Sequence, residues 1–93
     1  MGEHQTARDL GQDALTRLQR TAGDDDPTTL GTADNLANAL RGLGQHEAAR
    51  ELDQDTLTRR RRVLGDNHHD TLDSAAHLAA DLHALAETAN DGQ

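Results

Sequence analysis

The chain has 93 residues, enough for one small domain, and its net charge of −8 argues against nucleic-acid or anionic-membrane binding, which need excess positive charge. Because Phe, Tyr, Trp and Cys are absent, the core must come from Leu, Ala and one Val, and disulfide and thiolate chemistry are excluded. Residues 1–20 carry charges throughout, and no stretch approaches ~20 apolar residues. We therefore expect a cytoplasmic protein without a signal peptide or membrane span.

Apolar residues recur at helical spacing in four segments, which predicts helices over about residues 3–22, 29–43, 45–64 and 71–86. Gly23 and Gly65 stand where the first and third helices end, as suits a left-handed C-terminal residue. The polar loops that follow contain several acids, and these together with Thr28 or Asp70 are predicted to cap the next helix. Residues 1–88 are predicted to form the domain, and residues 89–93 a disordered tail.

The two halves of the chain repeat each other at a spacing of 42 residues. Ala7-Arg8-Asp9-Leu10 falls on Ala49-Arg50-Glu51-Leu52, and 20 of the 51 overlaid positions are identical without a gap. A fixed period of this size indicates stacked supersecondary units whose neighbours complete one another's cores. The prediction is an all-α chain of antiparallel helix-hairpin repeats with four helices.

The motifs within each period resemble a tetratricopeptide repeat (TPR) of the 42-residue, kinesin-light-chain type. The small–xx–Leu–small–xx–large signature of that family's helix A appears over residues 33–40 and again over residues 75–82. The subtype's Asn-Leu-Ala element is Asn35-Leu36-Ala37, and its linker is similar to residues 63–72. The resemblance covers essentially the whole chain and implies a TPR-like α-solenoid fragment that serves as a scaffold for binding a protein or peptide.

The sequence departs from the family pattern at several points. His69 replaces the proline that Pro27 supplies in the first copy, and Leu18 becomes Arg60 in the second. The helix order is B-A-B-A, with one complete A–B pair between two halves. We therefore expect the chain to be a piece or remnant of a longer repeat array. The resemblance implies that such arrays occur in bacterial regulatory proteins. The alternative is a short chain that covers its end helices by self-association.

The candidate partner-binding residues lie on helix A, opposite its apolar side. In the first copy they are Asn35 and Asn38, and in the second Asp73 and His77. The resemblance implies that this stripe lines a concave groove, where an Asn amide can donate to and accept from a peptide unit. The alternative is an ordinary solvated helix face.

Other candidate sites are weaker. The run Arg59-Arg60-Arg61-Arg62 points around the whole helix circumference and makes no single basic face. His77 and His83 stand about 240° apart on their helix, so they do not converge on a metal, and no catalytic constellation assembles.

We therefore predict a non-enzymatic protein without cofactor or metal, which binds a protein or peptide segment in the groove and binds neither nucleic acid nor membrane. The competing hypotheses are homo-oligomerisation through the end helices and a regulatory segment that works within a nucleotide-driven signalling protein.

Overall fold

The computed structural model describes residues 2–91, with side chains as far as Ala89. These residues form four α-helices: α1 (Glu3–Thr21), α2 (Pro27–Gly42), α3 (His46–Leu64) and α4 (His69–Asp91). Each helix packs against the next one along the chain, and the described residues contain no strand. The predicted all-α repeat architecture with four helices is confirmed.

The ends of the helices follow the turn chemistry of the sequence. Gly23 and Gly65 have φ values of +97° and +93°, the left-handed region that glycine adopts without strain. Asp26 caps α2, because its carboxylate accepts hydrogen bonds from the backbone N–H groups of Thr28 (2.8 Å) and Thr29 (3.4 Å). Pro27 occupies the first helical position, where its missing N–H costs nothing.

The cap of α4 differs from the one predicted. His68 Nδ1 accepts a hydrogen bond from the backbone N–H of Asp70 at 3.0 Å, so an imidazole takes the place that Asp26 holds 42 residues earlier. Thr28 and Asp70 were predicted as possible caps, but both lie inside their helices and donate to the capping side chain. The actual caps, Asp26 and His68, stand two residues before Thr28 and Asp70.

The fourth helix is longer than predicted. Residues 89–91 were assigned to the disordered tail, yet they belong to α4, while residues 92 and 93 lie outside the described residues. The reason lies in the sequence, since no Gly or Pro stands between Gly65 and Gly92 and the segment is rich in Ala.

The core lies where α1, α2 and α3 meet. It consists of buried Leu and Ala side chains, with Leu52 packed against them: Leu15, Ala33, Leu36, Leu40 and Ala49. Leu78, the equivalent of Leu36, is only half-buried, because α2 is covered by two helices whereas α4 packs mainly on α3. Of the four helices described, none is both long and apolar enough to cross a bilayer.

Candidate functional site

Helices α2 and α4 hold equivalent places in successive repeats, and polar side chains meet between them. Asp34 Oδ1 of α2 lies 3.8 Å from His77 Nδ1 of α4. Both atoms are buried, and within residues 2–91 neither has a hydrogen-bond partner. We name the polar residues that join the two helices the α2–α4 seam: Asp34, Arg41, Ser74, His77 and Asp81.

A buried arginine of α3 binds seam residues of both α2 and α4. Arg60 is buried, and its Nη1 donates to Asp34 Oδ2 at 2.6 Å and to Ser74 Oγ at 2.9 Å. The Thr71 hydroxyl of α4 donates to the Arg60 backbone carbonyl at 3.3 Å. One side chain of α3 therefore fixes the positions of α2 and α4 together.

A second arginine joins the same three helices, two helical turns further along α2. Arg41 Nη1 of α2 donates to Asp53 Oδ2 of α3 at 2.6 Å and to Asp81 Oδ1 of α4 at 3.3 Å. Both carboxyl groups are fully buried. Burial, together with the hydrogen bond to Asp81 and the charge of Asp81, raises the pKa of Asp53 to about 8. The raised pKa favours the protonated form of the Asp53 carboxyl group, beside Asp81, at neutral pH.

The proton on Asp53 balances the charges beneath the seam. Asp34 and Asp81 are then the two anions, and Arg41 and Arg60 are the two cations. A buried group of this kind is tolerated only when each charge has a partner.

The same cluster has the ligand types of a metal site. One atom each from Asp34, Asp53 and His77 lies within 4.8 Å of the other two. The guanidinium groups of Arg60 and Arg41 already contact Asp34 and Asp53, however, and supply the positive charge that a metal ion would bring. These three residues fit a network of internal ion pairs better than a resident metal.

The predicted binding residues of α2 both lie at the surface. Asn38 stands one turn beyond Asp34, on the side of α2 that borders the seam, and it is exposed. Asn35 is exposed as well, but it is rotated by about 100° from Asp34. A Cβ atom built on Gly31, which belongs to the same open side, would meet nothing within 4 Å.

The predicted binding residues of α4 differ from each other in their surroundings. His77 is partly exposed and belongs to the seam. Asp73 is exposed, and its Oδ2 lies 3.3 Å from His69 Nε2 on the preceding turn. The structure thus brings His77 next to Asp34 of α2 and places Asp73 beside His69 of its own helix.

The sequence interpretation missed the buried charges of the seam. It gave the acids of the loops a role as helix caps and gave none to Asp53 and Asp81, which lie within helices and are fully buried. A signal was available in the 42-residue repeat, since Asp53, Arg60 and Asp81 replace Gly11, Leu18 and Ala39. Charges of opposite sign that enter apolar positions of one copy together indicate buried pairs.

The four consecutive arginines of α3 point in different directions, as the sequence predicted. Arg59 and Arg62 both bind Asp25, and the hydrogen bonds from Arg62 and then from Arg59 hold the pKa of Asp25 below its usual value. Arg60 is buried under the seam, and Arg61 lies 4.0 Å from Asp66. The run therefore forms ion pairs within the chain rather than one basic surface.

Comparison with known proteins agrees with this architecture. The sequence pattern of the tetratricopeptide repeat matches residues 1–28 and 29–70, so the second match spans α2 and α3 as one complete hairpin. No curated protein sequence matches the chain closely. The match is consistent with the kinesin-light-chain subtype. Two matched repeats and four helices in B-A-B-A order show that this chain belongs to the tetratricopeptide repeat family.

Proposed function

We propose that the chain binds an extended protein segment along the exposed side of α2 and α4. Repeats of this family are generally non-enzymatic protein-interaction modules. The open side of α2 suits peptide binding: Asn35 and Asn38 offer exposed amide groups, and Gly31 has open space beside it for a partner backbone.

The observation that carries this proposal is the pair of unpartnered polar atoms at the seam. Asp34 Oδ1 and His77 Nδ1 are both buried, lie 3.8 Å apart, and have no hydrogen-bond partner among the described residues. A donor from a bound partner, such as a backbone N–H or the charged end of a Lys or Arg side chain, would satisfy the free oxygen of the Asp34 carboxylate. The net charge of −8 further favours a basic or neutral segment.

Selection from a library of random extended peptides, followed by fluorescence anisotropy on the peptides recovered, would test the proposal. The double variant Asn35→Ala, Asn38→Ala should bind about thirtyfold more weakly, because two hydrogen bonds of about 1 kcal/mol each are at stake. Gln12→Ala, Gln54→Ala is the matched control, since it removes two exposed amides from α1 and α3. Equal binding by both double variants would refute the assignment of the groove.

The setting of this interaction is part of the proposal. We infer a segment of a larger bacterial regulatory protein that acts in the cytoplasm, which agrees with a cysteine-free acidic chain. A regulatory role within the same polypeptide as a nucleotide-driven domain is compatible with the same groove, which would then bind a segment of that polypeptide.

A further inference from the structure

Two apolar stripes at opposite ends of the helix array are left uncovered by the described residues. On α4, Leu72 is 55% exposed and Leu82 49%, and Ala79 between them is exposed too. On α1, Leu10 is 67% exposed, with Ala7 beside it. We name them the α4 stripe (Leu72, Ala75, Ala79, Leu82) and the α1 stripe (Ala7, Leu10, Ala14).

The 42-residue repeat shows what kind of surface each stripe is. The α4 stripe corresponds to Leu30, Ala33, Ala37 and Leu40, which are buried in the core that α2 shares with α3. Leu30 and Leu40 are only 4% and 8% exposed. The α1 stripe corresponds to Ala49, Leu52 and Thr56 of α3, and two of these, Ala49 and Leu52, belong to that same core. The two stripes are thus copies of the two sides of the internal α2–α3 joint.

The buried ion pairs of the α2–α3 joint have no equivalents at the two ends of the array, because both members of each pair are replaced together. Inside the chain, Arg60 of α3 binds Asp34 of α2. At the ends, the equivalents are Leu18 of α1 and Ala76 of α4, so that both charges are lost together. A joint between an α1 and an α4 would therefore bury an apolar pair where the internal joint buries an ion pair, and no charge would be left without a partner.

The second polar pair follows the same rule. Arg41 and Asp53 correspond to His83 and Gly11, so the buried carboxylate disappears together with the arginine that binds it. One peripheral pair is retained: Arg59 lies 3.8 Å from Asp24, and the equivalents Arg17 and Asp66 again have opposite charges. The two ends are thus complementary in both apolar surface and charge.

We propose that the α4 stripe binds the α1 stripe of a second copy of this chain, in the arrangement that α2 and α3 have within one copy. The joint is head-to-tail, so each added copy presents a new free α4 stripe and association continues beyond the dimer. The associated copies form one continuous array of helices, and the exposed sides of all α2 and α4 helices lie along that array. This inference concerns the 93-residue chain on its own, and it depends neither on the groove nor on the larger protein proposed above.

Sedimentation equilibrium of the 93-residue chain over roughly 10 μM to 1 mM, a range suited to a small interface, tests the proposal. We expect a mean mass that rises with concentration beyond that of a dimer. Each of the variants Leu10→Asp and Leu82→Asp should be monomeric alone, because each removes one side of the joint. Val63→Asp changes an equally exposed apolar residue outside both stripes and should associate like the wild type.

Mixing the two end variants gives the decisive result. Leu10→Asp keeps a functional α4 stripe and Leu82→Asp keeps a functional α1 stripe, so an equimolar mixture should form a heterodimer that grows no further. Unchanged helical circular dichroism in each variant shows that loss of association is not unfolding. A monomeric wild type at every concentration overturns the proposal, and so does association of either end variant with itself, which would mean that like ends pair.

Discussion

Asp53 determines how the cluster beneath the seam responds to pH. It faces Asp81, Arg41 and Asp34, and its pKa is raised from the ordinary value of 3.8 to about 8. The folded chain therefore binds a proton between these two values that the unfolded chain has already released. The stabilisation that depends on this proton is fully present below pH 3.8 and is lost as the pH rises through about 8.

Replacing this side chain by its amide should remove that pH dependence. Asp53→Asn keeps the size of the side chain and can still accept from Arg41 and donate to Asp81. We expect the free energy of unfolding by urea to fall between about pH 5 and pH 8 in the wild type, to level off above that range, and to change less in the variant. Asp9→Asn, at an exposed position, should behave like the wild type. An identical pH dependence in Asp53→Asn would contradict the shared proton.

The pair Arg60–Asp34 allows a second test at the residue scale. Arg60→Leu leaves Asp34 without its cation, and Asp34→Ala leaves a buried guanidinium, so each single change should cost about 2–4 kcal/mol of unfolding free energy. The double variant reproduces the apolar combination of Leu18 and Ala76 and should cost clearly less than the sum of the two. Additive losses in urea unfolding would mean that the two side chains do not depend on each other.

The two A helices, α2 and α4, each begin at a side-chain cap, and the two caps differ in strength. Asp26 makes two hydrogen bonds to backbone N–H groups of α2 and places a negative charge at the positive end of the helix dipole. His68 makes one such bond at the start of α4 and, when neutral, brings no charge. The second repeat therefore starts its helix A with the weaker cap.

Exchanging the weaker cap for the stronger one should stabilise α4. His68→Asp copies the first repeat and should raise the free energy of unfolding by about 0.5–1 kcal/mol, whereas His68→Ala should lower it by a similar amount. Thermal unfolding followed by circular dichroism at neutral pH compares the three proteins. The cap assignment would be wrong if Asp and Ala at this position gave the same stability.

At the scale of the whole molecule, the 42-residue repeat predicted the features that depend on local sequence, such as helix boundaries. It did not predict the features that depend on contacts between different helices. Gly23, Gly65 and Pro27 mark helix boundaries because their backbone preferences act locally. The seam required α2, α3 and α4 to be assembled before Arg60 could be seen to contact Asp34. The groove residues Asn35 and Asn38 were placed at the surface by helical periodicity, but their role in binding is still a prediction.

The position of each helix in the array should set its stability. Leu36 and Leu78 are equivalent residues, yet Leu36 is buried by α1 and α3 while Leu78 is half-buried. Leu36→Ala should therefore cost about 2–5 kcal/mol in urea unfolding, and Leu78→Ala markedly less.

At concentrations where the chain is monomeric, the amides of α4 should also exchange hydrogen faster than those of α2, since α4 can detach from α3 without disturbing the Leu15–Leu36 core. Suppose instead that Leu36→Ala and Leu78→Ala lose the same unfolding free energy and that the amides of α2 and α4 are equally protected from exchange. Stability would then be spread evenly along the array, and the exposed α4 stripe would not destabilise α4.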